Sequence, residues 1–310
     1  MTQMWLTNGF NRSIIRDLCF DMGSTTANVA TDGTIGFNWN WDGGRGSGPP
    51  FRYPNNINVN TTALRLRSVK CRNATYGFLM GSNYPSVFPP NGSTINPNGN
   101  ECDTVTVLGC FFENCYQGYS CWEANVIGHN IYSSTFTGCT SLAIRGKVAV
   151  AIVIGCTFNN NGSDFHTDGA VPLVAGCSST SKYFVVGAPV TLLGCQHTGQ
   201  TIYYSGGPGG FGIIDQCSSN GDIRGSGDVE IRDSVLTNAS LFAPFQGILD
   251  FWGLPTGPIS SLPASPILGM EQVITNANMA TFGADIIAAG TGTGNVKGRW
   301  NGARWTVCGA

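Results

Sequence analysis

Short apolar segments recur along the chain, each closing on a small residue and separated from the next by Gly, Asn or Ser. Val107-Leu108-Gly109-Cys110-Phe111-Phe112 has its nearest relative in Val153-Ile154-Gly155-Cys156-Thr157-Phe158. Val174-Ala175-Gly176-Cys177, Leu192-Leu193-Gly194-Cys195 and Ile214-Asp215-Gln216-Cys217 continue the series. Ile131 to Phe136 and Ile231 to Leu236 carry Ser in the Cys position, as Ser134 and Ser234. Near the start, Ile15-Arg16-Asp17-Leu18-Cys19-Phe20 has Leu there, and Leu66-Arg67-Ser68-Val69 is a weaker copy. The central anchors at 110, 134, 156, 177, 195, 217 and 234 are 24, 22, 21, 18, 22 and 17 residues apart, a mean of about 21, which is a β-solenoid period.

This pattern predicts an all-β protein, a single-stranded right-handed parallel β-helix. Each coil holds a second apolar stretch, as in Leu142-Ala143-Ile144, Tyr183-Phe184-Val185, Ile202-Tyr203-Tyr204 and Leu241-Phe242. Alternation along the strands sends Val, Ile, Cys and Phe inward, and a Cys or Ser fits a bend where a larger side chain would not. A β-sandwich with the same spacing would not readily put a small residue after Gly or Asp in so many successive units. Residues 38–62 and 83–100, rich in Gly, Pro and Asn, read as long loops thrown out from the stack. The repeat is expected over 1–250. A Pro-rich linker and a C-terminal β segment follow over 251–310, where Asn301-Gly302 between Trp300 and Trp305 signals a hairpin.

Composition narrows the function. Only 11% of the 310 residues are charged and the formal net charge is −2, and no run of Lys and Arg is present, which argues against nucleic acid as a partner. No apolar stretch has membrane-spanning length. The beginning, Met1 to Ser13, lacks the charged-then-apolar pattern of a signal peptide and passes almost at once into strand-like sequence, so an upstream part and folding in a reducing cytoplasm are expected. Most of the 12 cysteines share one phase of the repeat, without zinc-type spacing, so they are expected as reduced, inward thiols and no metal or other cofactor is called for. The Asn-x-Ser/Thr sites at Asn11, Asn60, Asn73, Asn91, Asn161 and Asn238 are a by-product of Asn-rich turns.

The chain resembles phage tailspikes and related tail appendages with a pectate-lyase-like β-helix. The stretch from Asn11 to Asp21 is similar to an N-terminal coil of such proteins, and Arg299-Trp300-Asn301-Gly302-Ala303-Arg304-Trp305 to short C-terminal segments of virion proteins. The resemblance implies a homotrimer in a virion, joined to other tail proteins, that recognises bacterial surface glycan and often cleaves it. Fold does not fix function. A free polysaccharide lyase or glycoside hydrolase and a purely structural appendage are the competing readings.

Outward residues of successive coils form ladders along which a glycan can lie. Glu123, Arg145 with Lys147, and His166 with Asp168 share a phase after their anchors, with Trp122 and Tyr204 close by. Carboxylates there suit acid/base work, cations suit acidic sugars and aromatics suit stacking. The opposing reading is a solvated face with ordinary charges. Glu123 and Asp168, two coils apart, are the expected carboxylate pair, with backbones roughly 10 Å apart. That favours inversion over retention. His166 or Tyr204 is the base if the reaction is an elimination, and Trp122, Arg145, Lys147 and Tyr204 hold substrate. The cluster Asp164-Phe165-His166-Thr167-Asp168 by itself reads more simply as a turn with an exposed His than as a metal site. Trp39 and Trp41 point the same way and are expected to pack rather than to bind sugar. Phe251, Trp252, Trp300 and Trp305 are expected to supply apolar surface buried between subunits.

Overall fold

The computed structural model describes residues 2–7, 12–23, 34–39, 61–80, 102–121, 128–146, 150–167, 172–187, 189–205, 211–236, 249–251, 256–257, 262, 265–266, 268, 271–277, 285–286 and 294–309. The described residues are all β-strand, turn or irregular, without a helix. They gather into two compact units, Met1–Leu173 and Val174–Ala310.

In the first unit every full coil contributes one strand to each of three parallel faces. Face A stacks Thr2–Thr7, Thr34–Trp39, Tyr76–Met80, Gln117–Cys121, Leu142–Gly146 and Ser163–Thr167. Face B stacks Ile14–Arg16, Arg65–Arg67, Thr106–Leu108, His129–Tyr132 and Val150–Ile154. Face C stacks Cys19–Asp21, Lys70–Arg72, Phe111–Glu113, Thr135–Thr137 and Thr157–Asn159. The sequence pattern pointed to two strand segments per coil. The apolar segment with its anchor is in fact two strands, one on face B and one on face C, with the anchor at the corner between them.

That corner explains the small residue. The residue before each anchor has a left-handed backbone: φ is +59° at Gly109, +46° at Ser133 and +62° at Gly155. Glycine is unstrained there, which is why Gly so often precedes Cys. The chain keeps pairing through the bend. The Gly109 amide donates to the Tyr132 carbonyl at 3.0 Å, and the Ser133 amide to the Ile154 carbonyl at 2.9 Å. The anchor side chain then turns inward and donates to the carbonyl two residues back. Cys156 Sγ reaches Ile154 O at 3.5 Å, and Ser134 Oγ reaches Tyr132 O at 2.9 Å. Ser replaces Cys because both are small and both carry that donor.

Inside, like stacks on like. Leu66, Val107, Ile131 and Val153 form one buried column on face B. On face C, Phe112, Phe136 and Phe158 stack with ring centroids 4.8 and 5.3 Å apart. Parallel in-register pairing at one coil per step sets both the spacing and the offset stacking that aromatic rings prefer.

The second unit repeats the three-faced build. Tyr183–Gly187, Thr201–Ser205 and Asp222–Gly225 form its face A; Val190–Leu193, Phe211–Asp215, Asp228–Arg232 and Leu249–Phe251 form face B; Ser178–Ser179, Gln196–His197, Ser218–Ser219 and Val235–Leu236 form face C. Leu192, Ile214, Ile231 and Phe251 pair in register on face B. The same unit holds a C-terminal sheet. Thr256–Gly257 runs parallel to Glu271–Ala277, which pairs antiparallel with Gly294–Trp300 and that in turn with Trp305–Gly309. The expected hairpin is present, with a four-residue loop from Asn301 to Arg304 between paired Trp300 and Trp305. Asn301 N–H donates to the Arg304 carbonyl, while its side-chain Oδ1 accepts from the amides of Ala303 and Arg304 at 3.0 and 2.9 Å. Trp305 is buried in this sheet beside Val307, not left as surface for a partner as the sequence suggested.

The cysteines of the repeat are free thiols. Cys110, Cys156, Cys177, Cys195 and Cys217 are all buried at the corner position. Burial pushes the Cys110 thiol up to about 11, and its hydrogen-bonded neighbour Cys177, more than burial, pushes Cys195 up to about 12. Of the two loops expected at 38–62 and 83–100, residues 40–60, with Trp41, and all of the second lie outside the described residues. The edges of the first are strand, Asn38 and Trp39 ending a face A strand and Thr61–Thr62 forming a separate one.

Candidate ligand-binding faces

Face A carries part of the expected ladder. Arg145 and His166 sit directly opposite each other on neighbouring coils, next in register after Ser120, and both side chains are half-buried. Shared phase along the repeat did bring these two together. Trp122, Glu123, Lys147 and Asp168 lie outside the described residues, so the carboxylate pair has no geometry here. Tyr204 belongs to the second unit, where it is exposed at 36% and registers between Val186 and Arg224. The Arg224 guanidinium is held by Asp222 at 2.6 Å.

The segment from Asp164 to Thr167 corrects the expectation of a turn. Ser163–Thr167 is a strand in which Asp164 is fully buried and His166 half-buried rather than exposed. Asn161 holds it: Nδ2 donates to Asp164 Oδ1 at 2.9 Å and to the Phe136 carbonyl at 3.1 Å, while Oδ1 accepts from the Cys139 amide at 2.7 Å. Asp164 is thus part of the framework and is turned away from any ligand on the outer face. The buried Asn161 also explains its sequon as a structural residue, since a glycan has no room there.

Two histidines the sequence analysis passed over are framework as well. His129 is buried with Nδ1 2.7 Å from the Tyr119 hydroxyl. His197 lies on face C in register between Ser179 and Ser219. It stacks on Phe184 at 5.8 Å, with Nδ1 3.1 Å from Ser219 Oγ and Nε2 3.2 Å from the Ser181 carbonyl. Burial lowers its proton affinity to a pKa of about 4. Among the described residues no group of His, Cys, Asp and Glu is arranged to hold a metal ion.

A concavity that carries charge lies on the outer side of face B in the first unit. A cavity of about 500 Å³ is lined by the outward residues Ile14, Arg16, Arg65, Arg67, Thr106 and Leu108, with buried Leu66 at its floor. Register builds it. Ile14, Arg65 and Thr106 form one outward column, and Arg16, Arg67 and Leu108 the next. The second column continues through Tyr132 to Ile154. Ile14 is 59% exposed and Leu108 40%, so apolar surface lies open beside three guanidinium groups. The nearest acid is Asp17, 3.9 Å from Arg16 at a site where both are 69% exposed, a weak pair in water. Asp21 is committed elsewhere: Asn73, Gly23 and Arg72 hold its carboxyl below the usual range. Arg65 and Arg67 have no carboxylate partner among the described residues. The sequence did contain this signal. Arg16 and Arg67 are each two residues before an anchor, and Arg65 four before, so they share the outward phase. Attention to the residues after each anchor missed them.

Compared with known proteins, the chain matches no family model, no curated protein and no solved structure.

Proposed function

We propose that the protein is a virion tail appendage of the tailspike kind, which holds bacterial surface polysaccharide along the outer faces of its solenoid. The supporting observation is the in-register outward ladder, in which Arg16, Arg65 and Arg67 stand beside Ile14 and Leu108. Columns spaced by about one strand separation match a chain of sugar rings better than they match a compact small molecule. Guanidinium groups give charge-assisted, bidentate hydrogen bonds to acidic substituents. Arg145 opposite His166 offers polar contacts on a second face. In this reading the protein folds in the host cytoplasm, acts outside the cell on the virion, and works as a homotrimer attached to other tail proteins. Binding is the core of the proposal, and cleavage rests on Glu123 and Asp168.

The test is adsorption of the purified full chain to a panel of encapsulated and capsule-stripped bacteria, with released oligosaccharide measured in parallel. Adsorption that depends on the capsule of at least one strain is the expected result. Equal binding to capsulated and stripped cells across the panel overturns the proposal and leaves a structural appendage. Should oligosaccharide be released, Glu123→Gln and Asp168→Asn are each expected to abolish release while leaving adsorption unchanged.

A further inference from the structure

The groove on face B has a more specific chemistry than the general reading above, on which this inference rests. We infer that it is a binding site for an anionic polysaccharide. Arg16, Arg65 and Arg67 hold its acidic groups, and Ile14 and Leu108 meet the apolar faces of its sugar rings.

Arrangement is the first ground. Arg16 and Arg67 are direct neighbours across two paired strands, about 4.8 Å apart along the stack. Arg65 and Arg67 are two residues apart on one strand, so they point to the same side at about 6.7 Å. The three therefore form an L-shaped cluster of fixed positive charge on a rigid sheet.

Compensation is the second. Several half-buried cations of the described residues stand next to acids. Lys70 pairs with Glu113 at 2.8 Å, Arg72 with Asp21 at 2.6 Å and Arg232 with Glu230 at 2.8 Å. Among the described residues Arg65 and Arg67 have no carboxylate partner and Arg16 has only a long, exposed contact, so three cations cluster on one face without close neutralisation. Like charges placed side by side on a sheet repel, so the cluster costs stability that a bound anion would recover.

The third ground is shape. The cavity of about 500 Å³ is large enough for a few sugar rings, and it is open on the outer side. Its charge ends abruptly: the column that begins Arg16, Arg67 continues as Leu108, Tyr132 and Ile154. A duplex nucleic acid would call for cations continuing along its phosphates. A polysaccharide with one acidic group per repeat calls for a local cluster followed by neutral contacts.

The experiment uses the full chain and four defined polymers: polygalacturonate for carboxylate, dextran sulfate for sulfate, neutral dextran, and duplex DNA. Affinity electrophoresis is run on the wild type, on the Arg65→Gln/Arg67→Gln variant and on a control, Lys182→Gln/Arg304→Gln, that loses the same charge elsewhere. All four side chains are exposed, and unchanged melting curves establish that the variants fold. The wild type and the control are expected to bind at least one of the two anionic polysaccharides, with affinity falling as salt rises, and the groove variant to bind about tenfold or more weakly. Which of the two polymers binds better assigns the acidic group. No binding to either, equal binding by the groove variant, or preference for DNA over both overturns the inference. Adsorption to the bacterial panel separates this from the broader proposal. If wild type and groove variant adsorb to capsule alike, the groove is excluded and the tail-appendage reading stands. If neither adsorbs, yet the variant loses polysaccharide binding, the groove stands and that reading fails.

Discussion

At the residue scale, backbone conformation and close approach act separately, and two glycines distinguish them. Gly109 has φ +59° with open space where a Cβ would sit. Gly118 is the reverse: a Cβ there would lie 2.7 Å from the Ala143 carbonyl oxygen and 2.9 Å from the Phe136 ring. Gly109→Ala is expected to cost about 1 kcal/mol from backbone strain, and Gly118→Ala about 1–3 kcal/mol from overpacking. Denaturation midpoints measure both, and no loss in Gly118→Ala would mean that packing there relaxes freely. His197 gives a pH signature. Histidine ordinarily titrates near 6.5, whereas burial holds this one to about 4. The unfolded chain takes up a proton as pH falls through 6.5 and the native chain does not, so the stability is whole above 6.5. It is lost between 6.5 and about 4, by roughly 3 kcal/mol. Unfolding in urea at stepped pH, in wild type and His197→Gln, reads the effect as the difference between the two slopes in that window. Parallel slopes would exclude His197 as the source.

At the element scale, each coil depends on its neighbour through the corner and through the inward columns. Cys110 N–H donates to Ser134 Oγ at 3.1 Å, as Cys195 N–H does to Cys217 Sγ at 3.4 Å. The anchor of one coil therefore satisfies the backbone of the coil before it. Ser134→Ala leaves a buried amide without its acceptor and is expected to cost about 1–2 kcal/mol. Ser134→Cys should recover most of that, because Cys217 already performs the same task; thermal melts of the two variants make the comparison. The aromatic column is more demanding. Phe136 lies between Phe112 and Phe158, so Phe136→Ala opens a cavity with stacking partners on both sides and is expected to cost about 3–5 kcal/mol.

At the scale of the whole molecule, the question is what the chain assembles with. Trp305 is satisfied inside its own C-terminal sheet, together with Val273, Ile274, Val296 and Val307. Two ion pairs reinforce that sheet, with Glu271 held by both Lys297 and Arg299. The sheet therefore has an apolar core of its own and does not depend on a partner to cover Trp305. The proposed homotrimer must draw its interface from other surfaces. Native mass spectrometry at micromolar concentration is expected to give three times the 32.7 kDa chain mass. A monomer across that range would remove assembly from the proposal and leave the binding face intact.

The repeat in the sequence determined the solenoid, because period, small anchor and preceding Gly all follow from local backbone needs. Gly155 before Cys156 states a left-handed corner wherever it occurs. The sequence also determined that the repeat cysteines are thiols outside disulfides, since a shared inward phase leaves them buried. Other features were decided only by tertiary structure. Splitting each apolar segment into two strands depends on the coil turning a corner, which two faces and three faces share as a sequence pattern. The Asp164 to Asp168 cluster read as a turn, and only the fold placed Asp164 on a strand, buried against Asn161. Arg16 and Arg67 are 51 residues apart in the chain, yet they stand side by side, because parallel pairing of successive coils brings them into register. Charge clustering of this kind arises from stacking, and a linear scan for basic runs does not detect it.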